Sequence, residues 1–172
     1  MKPSDLVVTR WGAQFRGRRL PCAIGHGGMR CTKAEGDGVT PAGNWRIVGA
    51  LYRADRMPRP DVSSRSGLLI NAVGPGHIWS DDPADPAYNH LLRAPGHPFS
   101  HERLARGDPL YDLVLITNYN WPTAIANAGS AIFVHQWRKP RHPTEGCVAF
   151  SASDLRWILK HWTQASRLIL RG

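Results

Sequence analysis

The sequence contains few cysteines, and their spacing fits neither of the usual cysteine-based scaffolds. Its 172 residues include three of them, Cys22, Cys31 and Cys147. An odd number leaves at least one thiol unpaired, and no C-x-x-C pair of the kind that holds structural zinc occurs. We therefore expect no disulfide framework and no metal site, and a reducing compartment suits the chain.

Long hydrophobic runs are also lacking. No stretch approaches the roughly 18 to 20 uninterrupted apolar residues that a membrane-spanning helix needs. The opening Met1-Lys2-Pro3-Ser4-Asp5 leads into no apolar signal region. We expect no membrane span and a cytoplasmic location, or a periplasmic or cell-envelope location if the true start lies upstream. The sequence leaves the oligomeric state open.

Acidic residues are scarce relative to basic ones. The chain has 13 Asp and Glu against 22 Lys and Arg, which gives a formal net charge of +9. Such a charge suits nucleic acid, an anionic surface or an acidic small substrate. Because no helix-turn-helix, RNP-type or zinc-finger pattern is present, we expect no nucleic-acid partner.

Glycine and proline are plentiful, and they argue against a helical bundle. The chain has 17 Gly and 14 Pro, while hydrophobic residues make up 42% and can form a core. We expect one domain over residues 1–172, with strands joined by long loops. Strand patterns are clearest over residues 6–9, 19–24, 45–53, 112–117, 131–134 and 167–170.

Two segments predict short helices. From Ser151 to Ala165, apolar residues recur at i, i+3, i+4 and i+7, and Ser151 with Asp154 resembles a capping box. A shorter helix is expected over 100–106. The breaker-rich stretch 57–98 predicts a long functional or mobile loop. These patterns predict a mostly β protein with one or two short helices packed on a sheet.

A histidine and a cysteine form the main candidate for chemistry. His135 ends an apolar strand, and Cys147 follows twelve positions later, directly behind Gly146. A thiol attacks as thiolate, so an active Cys147 is expected to have a lowered pKa and a base within reach. Backbone N–H groups at Gly146 and Cys147 are candidates for an oxyanion hole. A free cysteine is also often a core residue, so the spacing alone leaves both interpretations open.

Two motifs carry a resemblance to a known family. One is His135 followed by Thr144-Glu145-Gly146-Cys147, and the other is the turn Gly38-Val39-Thr40-Pro41-Ala42-Gly43. They resemble the His with Ser/Thr-x-Gly-Cys signature and the Gly-x-Thr-Pro-x-Gly turn of the L,D-transpeptidase catalytic domain (YkuD-type) family. The resemblance covers most of the chain and implies a β-sandwich with a helix alongside. The chain departs from the family pattern at Glu145 and Ala149, and we expect both departures to affect the substrate pocket.

The resemblance implies acyl transfer on peptidoglycan stem peptides or soluble muropeptides. Cys147 would attack the carbonyl before the terminal D-alanine of a tetrapeptide stem and form a thioester, with His135 as the base. We expect hydrolysis, an L,D-carboxypeptidase activity of muropeptide recycling, to be favoured. The alternatives are an L,D-transpeptidase that forms cross-links or protein attachments, a basic non-enzymatic binding module for an anionic polymer, and an inactive relative that only binds cell-wall peptides.

Four further residues are candidates for substrate binding. Arg138 and Arg141 can pair with stem-peptide carboxylates in a bidentate fork, or can simply lie in a solvated loop. Trp137 lies beside His135 in the sequence, and Thr144 belongs to the Cys147 motif.

The remaining histidines and glycines are expected to play lesser parts. Histidines in and just after the 57–98 stretch are expected to be surface or pocket-rim residues, one of which could shape the substrate groove: His77, His90, His97 and His101. The run Gly25-His26-Gly27-Gly28 lacks both the P-loop Lys-Ser/Thr and the dinucleotide fingerprint. It therefore predicts a turn, and we expect no cofactor.

Overall fold

Fifteen short strands and two short helical segments make up the protein. The computed structural model describes all residues from Met1 to Gly172. The elements are β1 (Leu6–Thr9), β2 (Gly12–Phe15), β3 (Arg18–Leu20), β4 (Met29–Arg30), β5 (Thr40–Pro41), β6 (Gly43–Trp45), β7 (Ile47–Arg53), β8 (Leu69–Val73), β9 (His77–Ser80), β10 (Leu91–Arg93), β11 (His101–Arg103), a 3-10 turn (Pro109–Tyr111), β12 (Leu113–Thr117), β13 (Phe133–Gln136), β14 (Val148–Phe150), α1 (Ala152–His161) and β15 (Leu168–Arg171).

The first sheet joins the two ends of the chain. Its strand order is β3-β2-β1-β15-β6, and β1 runs parallel to β15 with Leu6 opposite Leu168. Leu6 and Val8 are fully buried, whereas Val7 and Thr9 are not, so one face of β1 turns to the core. This alternation is that of a sheet covered on one side.

The second sheet positions the candidate chemistry. Its order is β14-β13-β12-β7-β8, with β12 antiparallel to both of its neighbours and β13 parallel to β14. The apolar runs of β12 and β13 are buried on both faces, as their continuous hydrophobicity predicts. The parallel pairing places Val134 opposite Val148 and His135 opposite Ala149.

One core lies between the two large sheets and the helix. It contains Leu6, Phe15 and Leu168 from the first sheet, and Leu115, Val134 and Phe150 from the second. The predicted C-terminal helix is confirmed as α1, although it ends at His161 and not at Ala165, and the Ser151 hydroxyl accepts the Asp154 N–H at its start. Leu155, Ile158 and Leu159 of α1 are buried in the same core. No helix has the length and apolar character that crossing a membrane requires.

The predicted helix over 100–106 is wrong. Residues His101–Arg103 form β11 instead, and Glu102 pairs with Trp79 of β9. A seven-residue helix is marginal on its own, so strand pairing with a neighbour outweighs the local preference. The stretch 57–98, expected to be a loop, contributes β8, β9 and β10, and β10-β9-β11 form a three-stranded sheet.

Candidate active site

Cys147 and His135 lie on the same face of the second sheet. Cys147 directly precedes β14 and contacts Phe133 of β13, while His135 stands two residues further along β13. Because side chains alternate between faces, Phe133 and His135 point to the same side. Both Cys147 (9% exposed) and His135 (5% exposed) line one cleft. The parallel pairing of β13 and β14 therefore brings the two predicted residues together.

Hydrogen bonds fix each of the two side chains. The Cys147 thiol donates to the Ala131 carbonyl at 3.0 Å, and its sulfur accepts the Phe133 N–H at 3.3 Å. His135 Nδ1 donates to the Gln136 carbonyl at 2.7 Å. Since a carbonyl only accepts, Nδ1 carries the proton, and Nε2 keeps a free lone pair. The Tyr111 ring stands edge-on to the imidazole at 5.3 Å and restrains its orientation.

Burial keeps both groups neutral at rest. It lowers the pKa of His135 to about 4. Burial likewise raises the pKa of the Cys147 thiol to about 12, because the apolar surroundings penalise the charged form more than the Phe133 N–H stabilises it. The expected lowering of the thiol pKa is therefore wrong. The resting pair is a neutral thiol and a neutral imidazole.

The turn before Cys147 is held by Thr144. Its hydroxyl donates to the Cys147 carbonyl at 2.6 Å and accepts the Gly146 N–H at 3.2 Å. The Gly146 N–H is thus already occupied, which leaves the Cys147 N–H as the free donor beside the sulfur. Of the two donors expected in an oxyanion hole, only this one is available. The Thr144 hydroxyl therefore fixes the conformation of the turn.

Thr40 fastens this turn to the N-terminal half of the chain. Its buried hydroxyl donates to the Gly146 carbonyl at 2.8 Å and accepts the Gly25 N–H at 2.8 Å. A Cβ built at Gly25 would lie 2.1 Å from the Gly38 carbonyl oxygen and 2.9 Å from the Gly146 Cα. Only glycine fits where three backbone segments approach this closely. The run 25–28 is a turn, as predicted, but its first glycine also supports the cysteine.

The cleft has a volume of about 380 Å³ and is lined by both acidic and basic groups. Six of the lining residues were not predicted from the sequence, because they come from segments far from the Cys147 motif. These residues are Lys33, Glu35, Asp81, Glu102, Arg106 and Tyr111. Burial raises the pKa of both Asp81 and Glu102, and each feels a neighbouring carboxylate. No local sequence signal marks these residues, since only the tertiary fold brings them to the cleft.

The predicted substrate-binding residues separate into two groups. Trp137, Arg138 and Thr144 line the cleft. Arg141 does not: its backbone is left-handed, with φ of 58°, and its guanidinium donates to the Trp11 carbonyl in the turn between β1 and β2. Arg141 lines a separate surface depression, and this position does not agree with its predicted contact with substrate.

The two departures from the family pattern differ in position. Glu145 lies at the mouth of the cleft and pairs with His26 at 3.0 Å. Ala149 is fully buried, and its N–H and carbonyl pair with Ala23, so it does not line the cleft. Only Glu145 can therefore affect the pocket directly.

Histidines of the β9–β11 region stay away from the cleft. None of His77, His90, His97 and His101 lines it. His97 instead pairs with the buried carboxylate of Asp85 at 2.6 Å. The structure contains no group of three or more side chains arranged to hold a metal ion.

The fold and the site together define a class of protein. A cysteine, a neutral imidazole and a free backbone N–H in one cleft are the groups that cysteine-dependent acyl transfer needs. A family model, the YkuD L,D-transpeptidase catalytic domain, matches residues 5–170, and the chain belongs to that family. Its activity is accordingly of the L,D-transpeptidase type, on peptidoglycan. No curated protein and no solved structure matches the chain.

The Thr40 contact gives a first test. Thr40→Val keeps the shape but leaves the Gly25 N–H and the Gly146 carbonyl without partners, which is expected to lower the free energy of unfolding by about 2 to 4 kcal/mol. Thr40→Ser retains the hydroxyl and should lose about 1 kcal/mol. Urea unfolding of both variants measures the difference. A loss in Thr40→Val no larger than the loss in Thr40→Ser would contradict a stabilising role of the hydroxyl contacts.

Proposed function

We propose that the protein cleaves the bond before the terminal D-alanine of peptidoglycan tetrapeptide stems, with Cys147 as nucleophile, and that water is the favoured acceptor. The observation that carries this proposal is the shared cleft of Cys147 and His135, on one face of the β13–β14 pair. The family membership supplies the substrate class. The neutral state of the imidazole makes it competent as a base at neutral pH.

The chemistry begins from a neutral pair. As the Cys147 sulfur approaches the carbonyl carbon, the thiol proton passes from its bond with the Ala131 carbonyl to His135 Nε2. The C–S bond forms, and the carbonyl π electrons move to oxygen, where the Cys147 N–H stabilises the charge. The tetrahedral intermediate then collapses, and the C–N bond breaks. His135 returns its proton to the departing amine of D-alanine, which leaves a thioester on Cys147.

Hydrolysis completes the cycle. Water enters the cleft and loses a proton to His135 as it attacks the thioester carbonyl, and Cys147 leaves as the thiol with that proton. The cleft of about 380 Å³ suits one peptide segment. A transpeptidase would bring an acceptor amine to the same thioester, so the two reactions differ only in what occupies the cleft beside Cys147.

Arg138 is our candidate for binding a carboxylate of the stem peptide. It lies on the rim of the cleft, next to Trp137, and its side chain is exposed. Glutamate and alanine termini of a stem carry carboxylates, and a guanidinium binds a carboxylate with two parallel bonds. An anionic substrate also agrees with the net charge of +9.

Replacing the nucleophile tests the proposal directly. Cys147→Ala is expected to abolish release of D-alanine from disaccharide-tetrapeptide, a loss of several orders of magnitude. Cys31→Ser, at an exposed thiol, and Cys22→Ala, in the core, are the matched controls and should retain activity. Mass spectrometry of the products should show the tripeptide stem in excess of any cross-linked dimer. Dominant dimer would assign the protein as a transpeptidase.

The pH dependence follows from the lowered pKa of His135. A base must be neutral, and His135 becomes protonated only below about pH 4. The acid limb of kcat/KM is therefore expected near pH 4 to 5, well below the value of about 6.5 for an ordinary histidine. A pH–rate profile from pH 3.5 to 9 measures it. An acid limb near pH 6.5 would contradict a buried neutral base.

The two arginines of the loop provide a matched pair. Arg138→Ala is expected to raise KM for the tetrapeptide about tenfold, with little change in kcat, because a remote carboxylate is bound equally in ground and transition states. Arg141→Ala removes the same charge outside the cleft and should leave KM unchanged. Steady-state kinetics at constant salt compares the two. A similar KM for both variants and the wild type would exclude Arg138 from binding.

A further inference from the structure

A buried lysine lies beneath the catalytic turn. The side chain of Lys33 is only 2% exposed, and it lines the same cleft as Cys147. Its methylene groups pack across Gly129, where a Cβ would come within 2.7 Å of Lys33 Cε. A Cβ built at Gly146 would lie 3.5 Å from Lys33 Nζ. The ammonium therefore stands beside the residue that directly precedes the nucleophile.

The ammonium has one donor more than its partners use. Lys33 Nζ donates to Asp37 Oδ1 at 2.7 Å and to the Ala34 carbonyl at 3.2 Å. An ammonium carries three N–H donors, so one has no acceptor in the protein. A charged group so completely buried is normally fully satisfied. The third N–H is therefore available to an acceptor that enters the cleft.

Other cations of the cleft are engaged or exposed. Arg106 forms ion pairs with Asp108 and Glu102, and Arg138 lies on the rim. Of the two backbone donors at the Gly146–Cys147 turn, only the Cys147 N–H is free, because Thr144 occupies the Gly146 N–H. An oxyanion normally needs two donors. Lys33 is the buried cation next to the place where the second donor is missing.

We propose that the Lys33 ammonium is a catalytic residue that donates to the oxyanion of the tetrahedral intermediate, as the partner of the Cys147 N–H. Asp37 holds the lysine in place, and its carboxylate also accepts the Ala34 and Val39 N–H groups. Lys33 thus stabilises charge that exists only in the transition state and the intermediate. This role rests on Cys147 being the nucleophile, but it is independent of which acyl group is transferred.

Two reagents separate this role from a general effect on the thiol. Acylation by p-nitrophenyl acetate passes through a tetrahedral oxyanion and releases p-nitrophenolate, whereas alkylation by iodoacetamide forms no oxyanion. Both are measured at pH 9 in a Cys22→Ala, Cys31→Ser background, in which Cys147 is the only thiol, and the rate of the same protein with Cys147→Ala is subtracted. Lys33→Met is expected to slow acylation roughly 10²-fold and alkylation less than about fivefold. Equal slowing of both reactions would overturn the proposal.

Control variants address the ion pair itself. Lys160→Met also removes one lysine from a pair with an aspartate, but its partner Asp61 is exposed and remote from the cleft, so neither rate should change. The double variant Lys33→Met, Asp37→Asn leaves no unpaired charge and protects the fold if the single variant is unstable. The proposal expects the double variant to remain slow in acylation. Recovery of the acylation rate in the double variant would show that the Lys33–Asp37 ion pair has only a structural role.

The tetrapeptide assay distinguishes two anionic groups that Lys33 could bind, the oxyanion of the intermediate and the terminal carboxylate of the substrate. If Lys33 binds the oxyanion, Lys33→Met lowers kcat for the tetrapeptide with KM little changed. A rise in KM alone, with ester acylation unaffected, would overturn the proposal and assign Lys33 to the terminal carboxylate of the substrate. Should the wild type acylate with the ester but leave the tetrapeptide intact, the proposed function fails while the role of Lys33 can still be judged.

Discussion

The contact between the Thr40 hydroxyl and the Gly146 carbonyl is the constraint on which the site depends. It joins segments more than one hundred residues apart, and it depends on Gly25 and Gly146, whose lack of a side chain allows three backbone segments to approach closely. A side chain at Gly25 would collide with the Gly38 carbonyl. The Gly-x-Thr-Pro-x-Gly turn thus has a definite physical purpose. It fixes the backbone conformation at the cysteine, and with it the direction of the Cys147 N–H.

Electrostatics in the cleft follow from burial. Burial keeps the thiol and the imidazole neutral, so no ion pair between them has to be maintained in the resting protein. Charge on the reacting groups then appears only during the reaction, and fixed donors at buried positions stabilise it more strongly than they would in water. A neutral resting pair also restrains the reactivity of the thiol toward other electrophiles. The proposed role of Lys33 agrees with this arrangement, since Lys33 would stabilise the oxyanion, a charge that is absent from the resting protein.

Local patterns predicted the elements that carry the strongest periodicity. The strand runs of β12 and β13, the helix α1 and its Ser151 cap are confirmed, and so is the mostly β class. The prediction of a helix over 100–106 was wrong because residues of this segment pair with β9, and no local sequence pattern indicates that contact. Arg141 could not be distinguished from Arg138 in the sequence, since the left-handed backbone of Arg141 and its contact with Trp11 arise only in the folded chain. Lys33, Glu102 and Asp81 reach the cleft through long-range folding alone, and no spacing rule connects them to Cys147.

The central claim is a thioester on Cys147, formed from a stem peptide with loss of D-alanine. Rapid quenching of the wild-type protein with disaccharide-tetrapeptide, followed by proteolysis and mass spectrometry, tests it most directly. The account requires a mass increase on the peptide containing Cys147 equal to the disaccharide-tripeptide less one water, absent from Cys147→Ala and accumulating when deacylation is slow. Release of D-alanine with no adduct at Cys147 under any quench time would contradict it.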